Sequence, residues 1–162
     1  MNKHNLISIT VAVILSTVIL FPSQAGAQSA PAMKPTSLVG VWRVTRHGVD
    51  CNTGQDLNSF NVLMTFHRDH TLTAAGASPG SGLATGTNEY GVWSSQGGTY
   101  SFHDVSYGYD ENGNFTGSAE VTATLQLTSA DTFSYTSTIC VFDPNGNQLF
   151  CFCGRADGTR FQ

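Results

Sequence analysis

Residues 118–127 carry the most regular alternation of apolar and polar side chains in the sequence. The apolar set is Ala119, Val121, Ala123, Leu125 and Leu127, and the polar set is Ser118, Glu120, Thr122, Thr124 and Gln126. A period of two places successive side chains on opposite faces of a β-strand. The segment is therefore predicted to be a strand with one buried face and one solvated face.

Similar, shorter segments fill the rest of the chain from residue 38 onward. Strands are predicted over residues 39–46, 60–67, 70–73, 88–95, 99–107, 132–142, 148–153 and 158–161. Glycine and polar clusters between them predict a loop at 47–58, a long connection at 74–87 and a turn at 154–157. Apolar alternation assigns two further buried faces: Phe60, Val62, Met64 and Phe66, and then Phe133, Tyr135, Ser137, Ile139 and Val141.

The turns are short enough for neighbouring strands to pair as hairpins. Asp110-Glu111-Asn112-Gly113 and Asp143-Pro144-Asn145-Gly146 are strong turn sequences. A meander of eight or nine short strands can close on itself, and closure removes its exposed edges. The sequence predicts an all-β protein, an antiparallel up-and-down barrel of about eight strands, with an open two-sheet sandwich as the alternative.

Two tryptophans and one arginine are predicted to be structural. Trp42, in the Gly40-Val41-Trp42 segment of the first strand, suits the closure of one barrel end. Arg160, in the last strand, is expected to lie over its indole, a contact worth roughly 0.5–2 kcal/mol. Trp93 ends a second Gly-Val-Trp segment, but no wider self-similarity indicates a repeat.

The first 27 residues have the pattern of a secretory signal peptide. Lys3 precedes an apolar run from Leu6 to Phe21, and Ala25-Gly26-Ala27 is a small-residue cleavage site. Residues 28–37 are then a polar, flexible arm, and residues 38–162 are a single domain. The protein is predicted to be exported, to the periplasm or the extracellular space, with no stable membrane insertion after cleavage.

Charge and cysteine content limit the partners. The formal net charge is −4, and Lys34 is the only lysine beyond the predicted signal peptide, which argues against nucleic acid as a partner. An even number of cysteines, four, indicates disulfides in an exported chain. Cys-Phe-Cys at 151–153 does not have the ligand spacing typical of zinc sites.

The sequence predicts no catalytic residue, metal ligand or cofactor. His67 to His70 is interpreted as a solvated turn, because two turn histidines lack further ligands. His103 and Asp104 are neighbours on a strand and point to opposite faces, so they do not form a base and its orienting partner. Nucleophile-elbow, P-loop and dinucleotide-binding motifs are absent.

Taken in order, the short motifs resemble those of a known fold family. Gly40–Trp42 with Arg160 resembles the structural signature of the calycin barrels, which include the lipocalins. The chain is more closely similar to small exported bacterial proteins of unassigned function. Their pattern is matched by Gly40–Trp42, Cys51–Gly54, Ser78–Gly80, Gly91–Trp93 and Gly158–Phe161. The Thr-Asp-Tyr element and C-terminal helix of true lipocalins are absent. The resemblance implies a calycin-like barrel and carries over no catalytic residue.

This resemblance also implies a disulfide between Cys51 and Cys153. Closure of the barrel agrees, because Cys51 follows the first strand and Cys153 precedes the strand that pairs with it. A Cys151–Cys153 bridge is disfavoured, because residues two apart on an extended strand lie near the limit of disulfide reach.

The pairing of Cys140 and Cys151 depends on the hairpin register. A turn with Gly146 bulged pairs Asp143 with Asn147, and Cys140 then faces Phe150. A two-residue turn would place Cys140 opposite Cys151. It would also put Pro144, which has no N–H to donate, at a hydrogen-bonding position of the sheet, so this register ranks second. A Cys140–Cys151 disulfide follows by elimination only in the second register or with a local twist; otherwise both are thiols.

Three functions remain open. A binding module would hold a small apolar ligand between aromatic rows at a barrel mouth. A barrel-type isomerase would use Glu120, His103 or a tyrosine near a pocket. A structural envelope protein would have a filled barrel. The small side chains of Ala119 and Ala123 fit either a cavity or neighbouring rings, and the oligomeric state is open.

Overall fold

A computed structural model describes residues 37–76 and 85–162. They form nine strands: β1 (Gly40–Val49), β2 (Asp56–Phe66), β3 (Thr71–Gly76), β4 (Thr85–Gly86), β5 (Glu89–Gln96), β6 (Thr99–Tyr109), β7 (Phe115–Leu127), β8 (Thr132–Phe142) and β9 (Gln148–Arg160). No helix occurs in these two ranges, so the all-β prediction is confirmed. Nothing in them forms a helix that is long and apolar enough to span a membrane. The predicted signal peptide, nearly all of the arm and Ser78–Gly80 lie outside the described residues.

Eight of the strands close into an antiparallel barrel. Each pairs with the next along the chain from β1 through β3 and from β5 through β9, and β3 pairs with β5. The barrel closes where β9 returns to β1, from Trp42 opposite Arg160 to Val49 opposite Cys153. The short β4 extends the line of β5 beside β6. The predicted up-and-down barrel is confirmed, and the open sandwich is not what forms.

The closing strand differs from the prediction. Residues 154–157 are not a turn, because β9 runs unbroken from Gln148 to Arg160 and pairs with β8 on one side and β1 on the other. Gly154 and Gly158 face the interior and are buried. A Cβ on Gly158 would collide with the ring of Phe133. These glycines therefore make room for neighbouring side chains, and the sequence interpretation mistook them for turn residues.

Half of the predicted loop at 47–58 is strand. β1 continues to Val49 and β2 begins at Asp56, so only a short turn separates them. The Asp50 carboxylate accepts hydrogen bonds from the backbone N–H groups of Asn52 and Thr53. The turn is thus stabilised locally. Gly48, which suggested a break, is a buried strand residue.

The β8–β9 hairpin combines the predicted turn with an unpredicted bulge. The Asp143 N–H donates to the Asn147 carbonyl, as expected for the turn with Gly146 bulged. The register then shifts, with Val141 opposite Phe150 and Phe142 opposite Gln148. The extra residue in β9 brings Cys140 opposite Cys151, so the pairing predicted with Phe150 is wrong.

Two disulfides cross-link the barrel: one joins the turn between β1 and β2 to β9, and the other joins β8 to β9. Cys51 is bonded to Cys153, as predicted, and Cys140 is bonded to Cys151, the pairing that the sequence analysis made conditional on the hairpin geometry. The local irregularity at the hairpin is what permits the second. We call the end of the barrel that holds Cys51, the 110–114 turn and the 143–147 turn the cysteine end. The opposite end, with Trp42 and the turns at 67–70, 97–98 and 128–131, is the tryptophan end.

The tryptophan end is sealed by side-chain contacts. The guanidinium of Arg160 lies over the indole of Trp42, 4.2 Å from its centroid, in the predicted stacking position. Arg160 also donates to the carbonyl oxygens of Ser37, Val39 and Ala130. The indole N–H of Trp42 donates to the Leu38 carbonyl, 2.8 Å away. No polar group of this buried tryptophan is left without a partner.

Candidate functional site

Four polar side chains enter the barrel interior midway between its ends. They are Arg46 on β1, Glu89 on β5, Asp104 on β6 and Tyr135 on β8. Each lies at an inward position of its strand. Arg46 follows Val44 by two residues, and Asp104 follows Phe102 by two. We refer to these four residues as the interior cluster.

An ion pair forms the first half of the cluster. One guanidinium nitrogen of Arg46, Nη1, lies 2.6 Å from Oε1 of Glu89. The Arg46 side chain is 9% exposed and that of Glu89 is 20% exposed, so Glu89 is the member nearer to solvent. The second nitrogen, Nη2, contacts the Met64 sulfur at 3.6 Å, which is a weak acceptor. Nε of Arg46 and Oε2 of Glu89 are buried and have no hydrogen-bond partner.

Asp104 forms the second half and is unusual for a carboxyl group. It is 1% exposed, and neither of its oxygens has a hydrogen-bond partner. Burial raises the pKa of Asp104 to about 8; the nearby Glu89 carboxylate adds to the rise, and Arg46 opposes it. Two carboxyl groups this close can hydrogen-bond only when one of them carries a proton. Burial beside Glu89 therefore favours the protonated, neutral form of Asp104.

The other two members keep fixed charge states. Burial disfavours the charge on Arg46, but the ion pair with Glu89 opposes this and the Arg46 pKa is raised, so the guanidinium stays charged. Burial raises the pKa of Tyr135 to about 12, so its hydroxyl stays neutral. The Tyr135 ring packs edge-on against Phe102, with centroids 5.2 Å apart. Asp104 is thus the member whose pKa is raised toward neutral pH.

The barrel is packed with rings on the tryptophan side of the cluster. Phe66 makes edge contacts with Trp93, Phe102 and Phe133 at centroid distances of 6.1–6.2 Å. Phe133 also contacts Trp42 at 4.8 Å. Rings in such contacts fill this half of the interior and pack against the tryptophan side of the cluster.

The cysteine side of the cluster is lined differently. Seven inward-facing residues there remain partly solvent-accessible: Phe60, Ser106, Ala119, Ser137, Ile139, Val141 and Phe152. Most of them are small or aliphatic, and the inward glycines 48, 108, 117 and 154 add no side chain. We call this lining the cup. Its apolar wall and the polar cluster at its floor are the combination typical of small-molecule sites.

Four residues that were singled out from the sequence lie outside the interior cluster and the cup: Gly40, Trp93, His103 and Glu120. Trp93 packs in the ring-filled half, and its indole N–H donates to the His67 carbonyl at 3.0 Å. A Cβ on Gly40, whose φ is +138°, would collide with the Arg160 side chain, so Gly40 belongs to the seal. His103 and Glu120 lie on the outer face, 3.3 Å apart and both half-exposed. This pair is a solvated contact between β6 and β7.

The other histidine candidates are also on the surface. His67, Arg68, Asp69 and His70 form the exposed turn between β2 and β3. Asp69 accepts hydrogen bonds from the backbone and hydroxyl of Thr71, which lower its pKa. No group of three or more potential metal ligands occurs in residues 37–76 and 85–162. An open depression of about 710 Å³ on the outer face of β1 and β2 holds no buried unpartnered group.

The interior cluster was not predicted from the sequence, although a signal was present. Arg46 and Asp104 occupy the same face as Val44 and Phe102, so a charged residue interrupts each apolar row. The sequence gives no sign that residues 46, 89, 104 and 135 meet, because the barrel closure brings them together.

This chain matches no protein-family model, no curated protein and no solved structure. The candidate site therefore rests on the geometry and chemistry of its own residues.

Proposed function

We propose that the protein is an exported, calycin-type binding protein that holds a small, largely apolar molecule in the cup. The observation that carries this is the contrast between the two halves of the interior. Rings fill the tryptophan half, whereas inward side chains of the cysteine half remain partly accessible to solvent. A barrel that served only as a structural element would gain stability by filling both halves.

The unpartnered buried atoms at the cup floor add support. Asp104 Oδ1 and Oδ2, Glu89 Oε2 and Arg46 Nε all lack hydrogen bonds. Such groups are costly in an otherwise apolar interior, and a ligand that supplied partners would offset that cost. The ligand class is thus an apolar body with one polar end directed at the cluster.

Export is part of the proposal because the two disulfides agree with an oxidising compartment. The signal-peptide pattern of residues 1–27 points the same way. The calycin assignment is supported by the closed up-and-down barrel and by the arginine stacked on Trp42.

A fluorescence titration tests the binding function. The neutral dye N-phenyl-1-naphthylamine, which brightens in apolar surroundings, is expected to bind the purified barrel saturably with one dye per chain. Ala119→Phe, which adds a ring to the cup wall, is expected to abolish binding. Thr122→Phe places the same ring on the outer face of the same strand and should leave binding intact. Failure of the dye to saturate, or equal binding by both variants, would refute a ligand site in the cup.

A further inference from the structure

The interior cluster contains an imbalance of charge-bearing groups. Among the described residues that face Asp104, Arg46 comes from β1, Glu89 from β5 and Tyr135 from β8. Its cross-strand neighbours, Gly91 and Val121, carry no titratable group. Two carboxyl groups are therefore set against one guanidinium. With both carboxyls ionised, the cluster would carry one unmatched negative charge. In the free protein, the proton on Asp104 removes that charge.

The hydrogen-bond inventory shows a matching deficit. With Asp104 ionised, three buried acceptor oxygens of the cluster lack a donor: both carboxyl oxygens of Asp104 and Oε2 of Glu89. On the donor side, Nε of Arg46 is the one unpartnered nitrogen in the cluster. A primary ammonium group carries one positive charge and three N–H donors. It would satisfy the missing charge and the three orphaned acceptors together.

Other polar ends fit less well. A carboxylate would add a negative charge beside Glu89, and Arg46 Nε is the one unpartnered nitrogen that the cluster offers it. A hydroxyl would donate one hydrogen bond and supply no charge. A divalent metal would need more oxygen ligands than two carboxyl groups provide, and it would lie near the guanidinium.

We propose that the cup binds a small amphipathic amine, with its ammonium group held by Asp104 and Glu89 and its apolar part lying toward the cysteine end. This inference rests on the proposed binding function and names its ligand class. Arg46 holds the Glu89 carboxylate in place through their ion pair, while Asp104 is the group that exchanges its proton for the ligand's charge.

Binding must then release a proton. The O–H bond of the Asp104 carboxyl breaks as the ammonium enters, and the proton passes to the solvent buffer. The alkylammonium itself stays protonated, since its pKa is about 10, similar to that of lysine. Because amine and proton compete for Asp104, affinity should rise about tenfold per pH unit while the free site is protonated.

Calorimetric titration with three probes of equal chain length tests this inference. Octylamine should bind one per chain, more tightly at pH 7.5 than at pH 6.5 by about tenfold. Octanol should bind more weakly and without pH dependence, and octanoate should bind least. Repeating the octylamine titration in buffers of different ionisation enthalpy should show about one proton released per amine bound.

Two variants separate the role of Asp104 from a general effect on the barrel. Asp104→Asn is expected to remove both the preference for octylamine over octanol and the proton release. Glu89→Gln should also lower the affinity for octylamine. Asp157→Asn, an exposed carboxyl on the outer face of β9, should behave as wild type. Circular dichroism of each variant checks that the strands are intact.

The outcomes distinguish the two proposals. Absence of dye binding would overturn the binding function itself. The amine assignment alone would be overturned if the dye binds but octanol binds as tightly as octylamine or more tightly. It would also be overturned if Asp104→Asn leaves the affinity for octylamine unchanged.

Discussion

Replacing Asp104 with asparagine is expected to increase the free energy of unfolding at neutral pH. Asparagine has the shape of the protonated carboxyl and can donate an N–H to Glu89. The wild-type barrel must keep Asp104 protonated, because burial and Glu89 raise its pKa in the folded state from 3.8 to about 8. In the unfolded chain the same group ionises at its ordinary pKa. The two states therefore bind different numbers of protons over a wide range of pH.

Wild-type stability should fall as the pH rises through this range. Below the unfolded pKa both states hold the Asp104 proton, and its contribution to stability is fully present. Between the two pKa values only the folded state holds it, so stability falls by roughly 1.4 kcal/mol per pH unit. Since pH 7 lies about three units above the unfolded pKa, the loss there is about 4 kcal/mol. Above the folded pKa the loss is complete. Asparagine does not titrate, so the variant does not show this pH-dependent loss of stability.

Guanidinium chloride unfolding, followed by tryptophan fluorescence with the disulfides intact, measures this difference. The variant and the wild type are compared at each pH unit from 4 to 9, so that the other titrating groups cancel. The gain should be near zero at pH 4, should reach about 4 kcal/mol at pH 7 and should level off above pH 8. Asp157→Asn should stay within about 0.5 kcal/mol of wild type throughout. A gain from Asp104→Asn that is the same at every pH would refute the buried, protonated carboxyl.

Three further predictions concern stability and are checked by the same unfolding assay. Arg46→Met should cost about 3–5 kcal/mol, because it leaves the carboxylate of its ion-pair partner buried and uncompensated; a cost under about 1 kcal/mol would contradict a tightly held pair. Gly158→Ala should cost at least about 1–3 kcal/mol, because its methyl group would press on a buried ring, whereas Gly86→Ala, with no crowding neighbour, should be near neutral. Replacing Cys51 and Cys153 by serine should cost about 4–5 kcal/mol, since the bridge closes a separation of 102 residues. Peptide mapping of the unreduced protein checks that bridge directly.

Local alternation and turn chemistry were sufficient to predict the barrel. The apolar row of residues 119–127 is the buried face of β7, and the turn at 143–147 forms as its residues predict. Trp42 and Arg160 occur at opposite ends of the domain in sequence, yet their pairing could be predicted because closure requires the first and last strands to meet. Each of these inferences needed only a strand period, a turn type or one closure rule.

Features that depend on interior packing could not be predicted in the same way. Gly154 and Gly158 have the sequence appearance of turn residues, and only the positions of neighbouring side chains show that they belong inside a strand. The bulge that aligns Cys140 with Cys151 is likewise set by the pairing of β8 with β9 beyond the turn. The interior cluster draws on four strands, so periodicity indicates its inward residues singly but not that they meet.

The interior cluster separates stability from binding in a way that can be measured. If a buried, protonated Asp104 had only a structural role, Asp104→Asn would stabilise the barrel at pH 7 and leave binding unchanged. If Asp104 instead exchanges its proton for an ammonium group, the same substitution should raise stability and remove the preference for octylamine. A residue whose replacement improves folding while it impairs ligand selection is explained by the ligand and not by the fold. A gain in stability together with a loss of octylamine preference in Asp104→Asn would therefore be strong evidence for an amine site in the cup.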